Sequence, residues 1–286
     1  MTIRRAAVAG TWYPANAMRL NAEIAGYVRD AELACELQEA DNLRTHVPPA
    51  SADLVALVAP HAGLTYSGPV AAHAYRLLLG RHFDTIILVG PSHSLSFEGA
   101  SIWSSGAFET PLGDLRIDEA TASAMTEACS VVIELPAAHA REHSLEMQLP
   151  FLAAFAPDTP IVPLVMGHQT RATAFHLGDC IASAVEGRKA LLIASSDLSH
   201  FFDARTAAAM DATVVRHVDT LDPDGLMITL ELRPEHACGG GPMVSVLHAA
   251  TAMGAKTGRV LRYADSGDVS GDKSSVVGYM AAALWR

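Results

Sequence analysis

The stretch LVALVAPH, residues 54–61, decides the fold, and the stretch TIILVGPSH at residues 85–93 repeats its form. In each, a run of aliphatic residues is broken by a proline, and a histidine (His61 or His93) follows within two residues. Aliphatic runs without polar alternation are typical of strands buried on both faces of a parallel sheet. Because proline cannot donate to the strand ladder, it ends such a strand. Each histidine is therefore predicted to lie just beyond the carboxyl end of a central strand, where open α/β sheets form their ligand crevice.

A third apolar run, KALLIAS at residues 189–195, is followed by Asp197 and His200. Asp197 can cap the following turn, as aspartate often does. It can also be a carboxylate ligand, or the group that orients a catalytic base at His200. Three strand ends that bring ionisable groups to one edge of a sheet indicate a metal or acid/base site.

Strand patterns alternate with helix patterns over most of the chain, which predicts right-handed βαβ units and a mainly parallel sheet covered on both faces. The fold class is therefore α/β, a single three-layer α/β/α domain spanning residues 1–286. Nothing in the chain resembles an inter-domain linker. The only loose stretch, residues 41–51, is short and is predicted to be a surface connection. A helix is predicted from about Pro69 to Leu79, and a hairpin within residues 100–117.

Composition excludes several classes of partner. The 31 acidic residues outnumber the 20 basic ones, a formal net charge of −11, so no nucleic-acid footprint and no anionic membrane surface is expected. No apolar run approaches the roughly 20 residues that a membrane span needs, and the N-terminus does not resemble a signal peptide. A cytoplasmic protein is predicted, and its four scattered cysteines (Cys35, Cys129, Cys180 and Cys238) are predicted to be free thiols rather than a disulfide framework.

Cys238 stands in the segment HACGGGP, residues 236–242, directly before a helix pattern. Exposed N–H groups of glycines and a helix N-terminus favour negative charge, which predicts a lowered pKa for the thiol. The cysteine is then a metal ligand or, less in keeping with its neighbours, a nucleophile. A glycine-rich turn that merely contains cysteine is the simpler alternative.

Two further groups of residues are candidates for the site. On a helix, His143 and Glu146 share one face at i, i+3 and can orient a ligand, although a solvated helix start explains the pair equally well. Trp12 is either core packing or an aromatic wall at the mouth of a pocket. No dinucleotide-binding or P-loop glycine motif is present, so the chain lacks a phosphate cradle.

Together these motifs resemble the Memo family, in the family's own order and over nearly the whole chain. The matching segments are Ala9–Tyr13, Pro60–Gly63 with Tyr66–Gly68, Gly90–His93, Thr110–Asp114, Glu142–Glu146, Ser195–Asp197 with His200, and Cys238–Gly239. In bacteria and archaea, Memo proteins are often described as part of an AmmeMemoRadiSam system, with a possible functional link to Ammecr-like and radical-SAM proteins. The family is similar in fold to the class III extradiol dioxygenases.

The resemblance implies a metal site formed by His61, His93 and Cys238. It also implies His200 and Asp197 as catalytic groups and Trp12 as a substrate-binding residue that lines the pocket. Tyr66, His143 and Glu146, which lie within the matching segments, are further predicted substrate-binding residues. The implied function is a non-haem, dioxygenase-like oxidoreductase of a small-molecule or peptide substrate. Fe(II) is the expected metal, but a thiolate in place of a carboxylate also suits Cu or Zn. The alternatives are a non-catalytic peptide- or protein-binding scaffold and, third, a zinc hydrolase.

Overall fold

The computed structural model describes residues 2–40, 48 and 52–286. Apart from Pro48, the predicted surface connection at 41–51 lies outside the described residues. The strands, in chain order, are β1 Ile3–Arg4, β2 Leu54–Ala59, β3 Thr85–Pro91, β4 Ala100–Ile102, β5 Ala107–Phe108, β6 Leu115–Arg116, β7 Val132–Glu134, β8 Ile161–Met166, β9 Ala190–Ser195, β10 His200–Phe202, β11 Thr257–Asp265 and β12 Val276–Trp285.

The described residues also form helices. In chain order they are α1 Ala17–Ala40, α2 Leu64–Tyr75, α3 Glu119–Ala128, α4 Pro136–Ala140, α5 Leu149–Phe155, α6 Arg171–Ala184, α7 Ala204–Asp219, α8 Pro223–Leu232, α9 Gly240–Ala252 and α10 Gly267–Ser270. Short 3₁₀ turns cover Arg76–Leu78, Glu146–Gln148 and Pro234–His236. No helix in this described part of the chain is both long and apolar enough to cross a membrane.

The large sheet has the strand order β10-β12-β2-β9-β3-β8-β4-β7, and β11 pairs with β12. Its centre, β2-β9-β3-β8, is parallel, and every residue of these four strands is buried. Antiparallel pairing flanks this centre, between β2 and β12 on one side and between β8 and β4 on the other. The fully buried parallel strands are the aliphatic runs of the sequence, as two-sided burial requires.

Two groups of helices cover the sheet. Helices α1, α2 and α5 pack against one another, and α2 lies on β2, β11 and β12. Helices α3, α6, α8 and α9 form the other group, in which α9 lies on β2, β3 and β9, and α7 packs against α8, β11 and β12. The three-layer α/β/α prediction is confirmed. A small second sheet, β1-β5-β6, joins the N-terminus to the segment that follows β4.

Two local predictions differ from the structure. Helix α2 begins at Leu64, not near Pro69, because the Leu64 side chain is buried in the core and its N–H donates to the Trp12 carbonyl at 2.8 Å. Pro69 therefore lies inside the helix, where it offers no N–H to the Thr65 carbonyl one turn earlier. The predicted hairpin is also shifted: β4 joins the large sheet, and the antiparallel pair is β5 with β6.

The prediction of four free thiols is wrong for two of them. Cys129, at the end of α3, and Cys180, in α6, form a disulfide, whereas Cys35 and Cys238 are free. The two bonded cysteines are 51 positions apart, and only the packing of α3 against α6 brings them together. Sequence spacing alone contains no sign of this contact.

Candidate metal centre

The order of the central strands decides where the candidate residues meet. Strand β9 lies between β2 and β3, so the three strand ends that precede His61, Asp197 and His93 are neighbours at one edge of the sheet. His61 is 1 % exposed, whereas the side chain of His93 is 33 % exposed. The site therefore has a buried side at His61 and an open side at His93.

Cys238 reaches the same edge from the segment that precedes α9. Its N–H donates to the Asp197 carbonyl at 3.3 Å, and the Gly239 N–H donates to Ser196 Oγ at 2.9 Å. A Cβ atom on Gly239 would lie 2.4 Å from the Ser195 carbonyl oxygen, a distance that no side chain tolerates. The glycine is therefore required for the cysteine loop to lie against the end of β9.

His61, His93 and Cys238 each offer one donor atom, and all three atoms lie within 4.8 Å of one another. Cys238 Sγ is 3.1 Å from His61 Nε2. Around a tetrahedral ion with bonds of about 2.0–2.3 Å, donor atoms are roughly 3.3–3.7 Å apart. The three side chains fit a single metal ion with only small movements, and their two nitrogens and one sulfur suit Fe, Cu or Zn.

The ring of His61 is held in one tautomer by a buried network. Ser195 Oγ donates to the Ser144 carbonyl at 2.6 Å and accepts from Gln148 Nε2 at 2.7 Å. Its remaining partner is His61 Nδ1 at 2.9 Å, which must therefore carry the proton and donate. His61 Nε2, the atom beside Cys238, is left with a free lone pair for a metal ion.

His93 is oriented in the same way by a carboxylate. Glu142, itself buried, accepts from His93 Nδ1 at 2.9 Å, from the His93 N–H at 2.6 Å and from the Ser144 N–H at 2.9 Å. Burial raises the pKa of the Glu142 carboxyl, but these hydrogen bonds outweigh it and hold the pKa at about 2. A carboxylate–histidine pair of this kind raises the basicity of the free ring nitrogen and fixes its direction.

A stack of rings covers the open side. The imidazoles of His93 and His143 are stacked with centroids 4.4 Å apart, and Trp12 lies 4.3 Å from His143. Burial, followed by the nearby His93 and His143, lowers the pKa of His61 well below its usual value. Burial and His93 likewise lower the pKa of His143 to about 4. Both of these rings are therefore neutral at pH 7, the form in which imidazole binds metals.

Asp197 and His200 do not form the hydrogen-bonded pair that the sequence suggested. Asp197 Oδ1 accepts from the His61 N–H at 2.7 Å and the Ala62 N–H at 3.3 Å, while His200 Nδ1 donates to the Leu198 carbonyl at 2.8 Å. Asp197 therefore orients the His61 loop, and the backbone orients His200. Burial raises the pKa of Asp197 to about 7, although these N–H groups oppose the rise.

The predicted low pKa of Cys238 is wrong for the protein by itself. Burial, and then the nearby Asp197, raise the pKa of the thiol well above its usual value. The N-terminus of α9 begins two residues later and does not outweigh this desolvation. A bound cation deprotonates a coordinating thiol outright, so the thiolate form of Cys238 depends on the metal rather than on the helix.

Glu146 is more deeply buried than His143, the residue with which the sequence paired it. It is fully buried, and its carboxylate is bonded to Arg4, to the N–H groups of Ala7 and Val8 and to the Tyr13 hydroxyl. The carboxylate thus holds the N-terminal segment that carries Trp12. Contact of Glu146 with a substrate stays a prediction, as it does for Tyr66, whose side chain is 42 % exposed in the first turn of α2.

Glu142, Ser195 and Gln148 have no role that sequence patterns predict. Each acts through a histidine, and the only sequence signal was the position of Glu142 and Ser195 within the motifs around His143 and Asp197. Phe201 was also missed, because the exposure of an aromatic side chain is not visible in the sequence. It is 77 % exposed next to His200, with ring centroids 5.6 Å apart.

A cavity of about 570 Å³ opens beside the cysteine loop. Cys238, Ala237 and Gly241 line the cavity. Gln169, also in the lining, bridges the loop by donating to the Cys238 carbonyl at 2.7 Å and accepting from the Gly241 N–H at 2.7 Å. Met227 and Leu230 add apolar surface. The cavity is large enough for a small molecule or a few side chains of a peptide.

Comparisons with a family model and with individual proteins point to the same family. The family model described as "Memo-like protein" matches residues 4–283. A MEMO1 family protein of Methanopyrus kandleri is 38 % identical, with 99 % of each chain covered. One from Methanothermobacter thermautotrophicus is 36 % identical over 97 % of this chain and 98 % of its own. One from Sulfolobus acidocaldarius is 38 % identical over 98 % of both chains.

A solved structure supports the fold alone. The crystal structure of an uncharacterised protein from Escherichia coli K12 superposes with a TM-score of 0.53 and covers 79 % of this chain and 99 % of its own. Its sequence is 16 % identical, so the likeness concerns the arrangement of strands and helices.

Proposed function

The chain belongs to the Memo family, and from the site that it carries we propose a metal-dependent oxidoreductase that acts on a small-molecule or peptide substrate. His61, His93 and Cys238 would hold the ion. Fe(II) is the proposed native metal, and Cu and Zn are the alternatives that the nitrogen and sulfur donors also suit. The metal would supply the redox chemistry and the polarisation of a bound substrate oxygen.

One observation carries this proposal. The donor atoms of His61, His93 and Cys238 lie within 4.8 Å of one another, and both imidazoles have Nδ1 engaged by a protein acceptor. Histidines held only for packing have no need of two separate acceptors, Ser195 Oγ and the Glu142 carboxylate, that leave both Nε2 lone pairs free. That arrangement is how proteins orient metal-binding histidines.

His200 is the proposed proton acceptor. Its Nδ1 donates to the Leu198 carbonyl, so the proton sits on that nitrogen and Nε2 is free to accept another. Burial lowers the pKa of His200, and the nearby His93 adds to this effect, so the ring is neutral at pH 7. A neutral imidazole at the open side of the centre can remove a proton from a substrate hydroxyl and return it later.

The proposed substrate position lies between the rings at the mouth of the site. Trp12 is 37 % exposed and Phe201 is 77 % exposed, so both present aromatic surface to solvent near the histidines. The cavity beside Cys238, with Met227 and Leu230 in its lining, offers further apolar surface. A flat or aromatic substrate group would be desolvated there and held close to His200.

Metal analysis tests the proposal. Anaerobically purified wild-type protein, His93→Ala and Cys238→Ser are compared by elemental mass spectrometry after identical loading with Fe(II). The matched controls are His82→Ala, an exposed histidine, and Cys35→Ser, the other described free cysteine. We expect about one ion per wild-type and control chain and a loss of at least tenfold in affinity for the two site variants. Equal metal content in all five proteins would refute the metal centre.

A variant at His200 separates binding from turnover. His200→Asn should keep the metal, since His200 is not one of the three donors, but lose proton transfer, for which a loss of about 10²–10⁴-fold in rate is typical. Oxygen uptake with a panel of catechols and hydroxyaromatic peptides is the assay. An active wild type with an equally active His200→Asn would remove His200 from the mechanism and leave the metal centre standing.

A second candidate, a peptide-binding scaffold without turnover, is favoured by the exposed aromatic side chains of Trp12, Tyr66 and Phe201. Aromatic residues are enriched where proteins bind partners. Trp12→Ala would then weaken peptide binding in a fluorescence titration, whereas removal of the metal would change it little. A peptide affinity that falls with metal removal would favour the enzyme instead.

A further inference from the structure

A second group of side chains with metal-ligand atoms lies away from the centre described above, between α3 and α6. Cys129 follows the last residue of α3 and is buried, and Cys180 is half-buried in α6. Their sulfurs form a disulfide with a Cα–Cα distance of 5.8 Å. Neither residue has a part in the proposed function.

His176 is the third member of this group. It lies one turn before Cys180 on the same helix, so the two side chains share a face. A ring nitrogen of His176 and the sulfurs of Cys129 and Cys180 lie within 4.8 Å of one another. His176 is exposed, and its Nε2 has a long contact of 3.4 Å with Ser130 Oγ, so the ring is free to turn toward the sulfurs.

Two thiolates and one imidazole form a donor set that zinc favours, with the fourth position left for water. The same two sulfurs cannot be a disulfide and bind zinc at once, because thiolate is the ligand form. A disulfide that serves only as a cross-link has no requirement for an imidazole beside it. The position of His176 therefore points to a ligand that takes the place of the sulfur–sulfur bond.

We propose that Cys129, Cys180 and His176 form a redox-gated zinc site, independent of the His61, His93 and Cys238 centre. In the reduced protein the two thiolates and the imidazole bind one Zn²⁺. A small disulfide such as oxidised glutathione reverses this: it accepts two electrons and two protons and becomes two thiols. The two cysteines are oxidised, their S–S bond forms, and Zn²⁺ is released.

The half-buried position of Cys180 makes the exchange sterically accessible. A thiolate reagent must approach one sulfur in line with the disulfide, and Cys180 and the exposed His176 lie on the outer side of the pair. Cys129 is only 2 % exposed, so it is the sulfur that leaves when a reductant attacks and that attacks when the bond forms again. Cys35, a free thiol in α1, serves as the internal control for non-specific zinc binding.

Zinc titration tests the proposal. Wild type, the double variant Cys129→Ala/Cys180→Ala, His176→Ala and the control Cys35→Ser are reduced anaerobically with a phosphine and titrated with Zn²⁺ against a chromophoric chelator. We expect reduced wild type and Cys35→Ser to bind one more equivalent than the double variant. In His176→Ala that equivalent should bind at least tenfold more weakly. Oxidised glutathione should release one equivalent from wild type and none from the double variant.

The difference of one equivalent isolates this site from the first centre, whose residues are the same in all four proteins. Equal zinc stoichiometry in reduced wild type and the double variant would overturn the proposal and leave a plain cross-link. So would unchanged affinity in His176→Ala, which keeps both cysteines and tests the site even if the double variant fails to fold. Circular dichroism of each reduced protein checks folding.

Discussion

Replacing the buried Glu146 by glutamine is the perturbation whose outcome the structure defines most sharply. The carboxylate is fully buried and is bonded to the Arg4 guanidinium, the N–H groups of Ala7 and Val8 and the Tyr13 hydroxyl. An amide removes the negative charge and replaces one acceptor oxygen with a donor. Arg4, only 3 % exposed, then has no counter-charge, and one N–H group faces another donor.

The magnitude follows from these contacts. Breaking a buried ion pair by removing one partner costs about 3–5 kcal/mol of unfolding free energy. Arg4 keeps its hydrogen bonds to the His139 carbonyl at 3.0 Å and the Glu142 carbonyl at 2.6 Å, so we expect the lower end of that range. At roughly 2–4 °C per kcal/mol, a loss of about 3 kcal/mol lowers the melting temperature by about 6–12 °C.

The assay is urea unfolding of wild type, Glu146→Gln and a matched control, Glu109→Gln. Glu109 holds the same N-terminal segment through the Ala6 N–H at 3.1 Å and Arg5 at 2.7 Å. The Arg5 side chain is 74 % exposed, so this pair is a surface ion pair and its loss should cost under about 1 kcal/mol. The two variants thus make the same chemical change in the same segment, one buried and one exposed.

A destabilisation of Glu146→Gln that equals that of Glu109→Gln would refute the reasoning. It would mean that the buried pair contributes no more than a surface pair, and the predicted substrate contact of Glu146 would regain weight. An added readout is the tryptophan fluorescence of each variant, since Trp12, one of the three tryptophans, is held by the Glu146 carboxylate through the adjacent Tyr13. We expect a shift of the tryptophan emission in Glu146→Gln and none in Glu109→Gln; the shift should disappear when Trp12 is replaced by phenylalanine in both proteins.

Three further predictions concern the site and the core. Glu142→Gln weakens the orientation of His93 and should lower metal affinity by about 10–100-fold in a chelator competition; unchanged affinity would contradict the role of Glu142. Burial lowers the pKa of both His73 and His139 to about 4, so the unfolded chain binds more protons below pH 6.5. The contribution of these two histidines to the unfolding free energy should therefore be fully present above pH 6.5 and fall as pH decreases from about 6.5 to 4, and His73→Gln should show a smaller fall in urea unfolding at pH 5 against pH 7. Trp12→Ala should raise KM or the peptide Kd without changing metal content, and a loss of metal in this variant would contradict a role confined to the substrate.

Much of the fold was predictable because it depends on patterns that are local in sequence. Strands β2, β3 and β9 lie within the apolar runs at residues 54–61, 85–93 and 189–195 that predicted them. The two strand-end histidines were found for the same reason. The predictions that failed concerned features without a local sequence pattern. These are the start of α2 before Pro69, and the Cys129–Cys180 bond between helices that are adjacent only in space.

The amino-acid sequence by itself determined that His61, His93 and Asp197 follow strand ends. A strand buried on both faces must consist of aliphatic residues, so the first polar residues after such a run mark its end. The sequence could not determine the order of those strands. Only the tertiary structure places β9 between β2 and β3. The close approach of Gly239 to the Ser195 carbonyl at the end of β9 then places Cys238 at the same edge. Hydrogen bonding is likewise a tertiary property: the acceptors that orient the two imidazoles stand 134 and 49 positions away in the chain. The sequence thus specified which side chains reach the edge of the sheet, and packing decided which of them meet and in which protonation state.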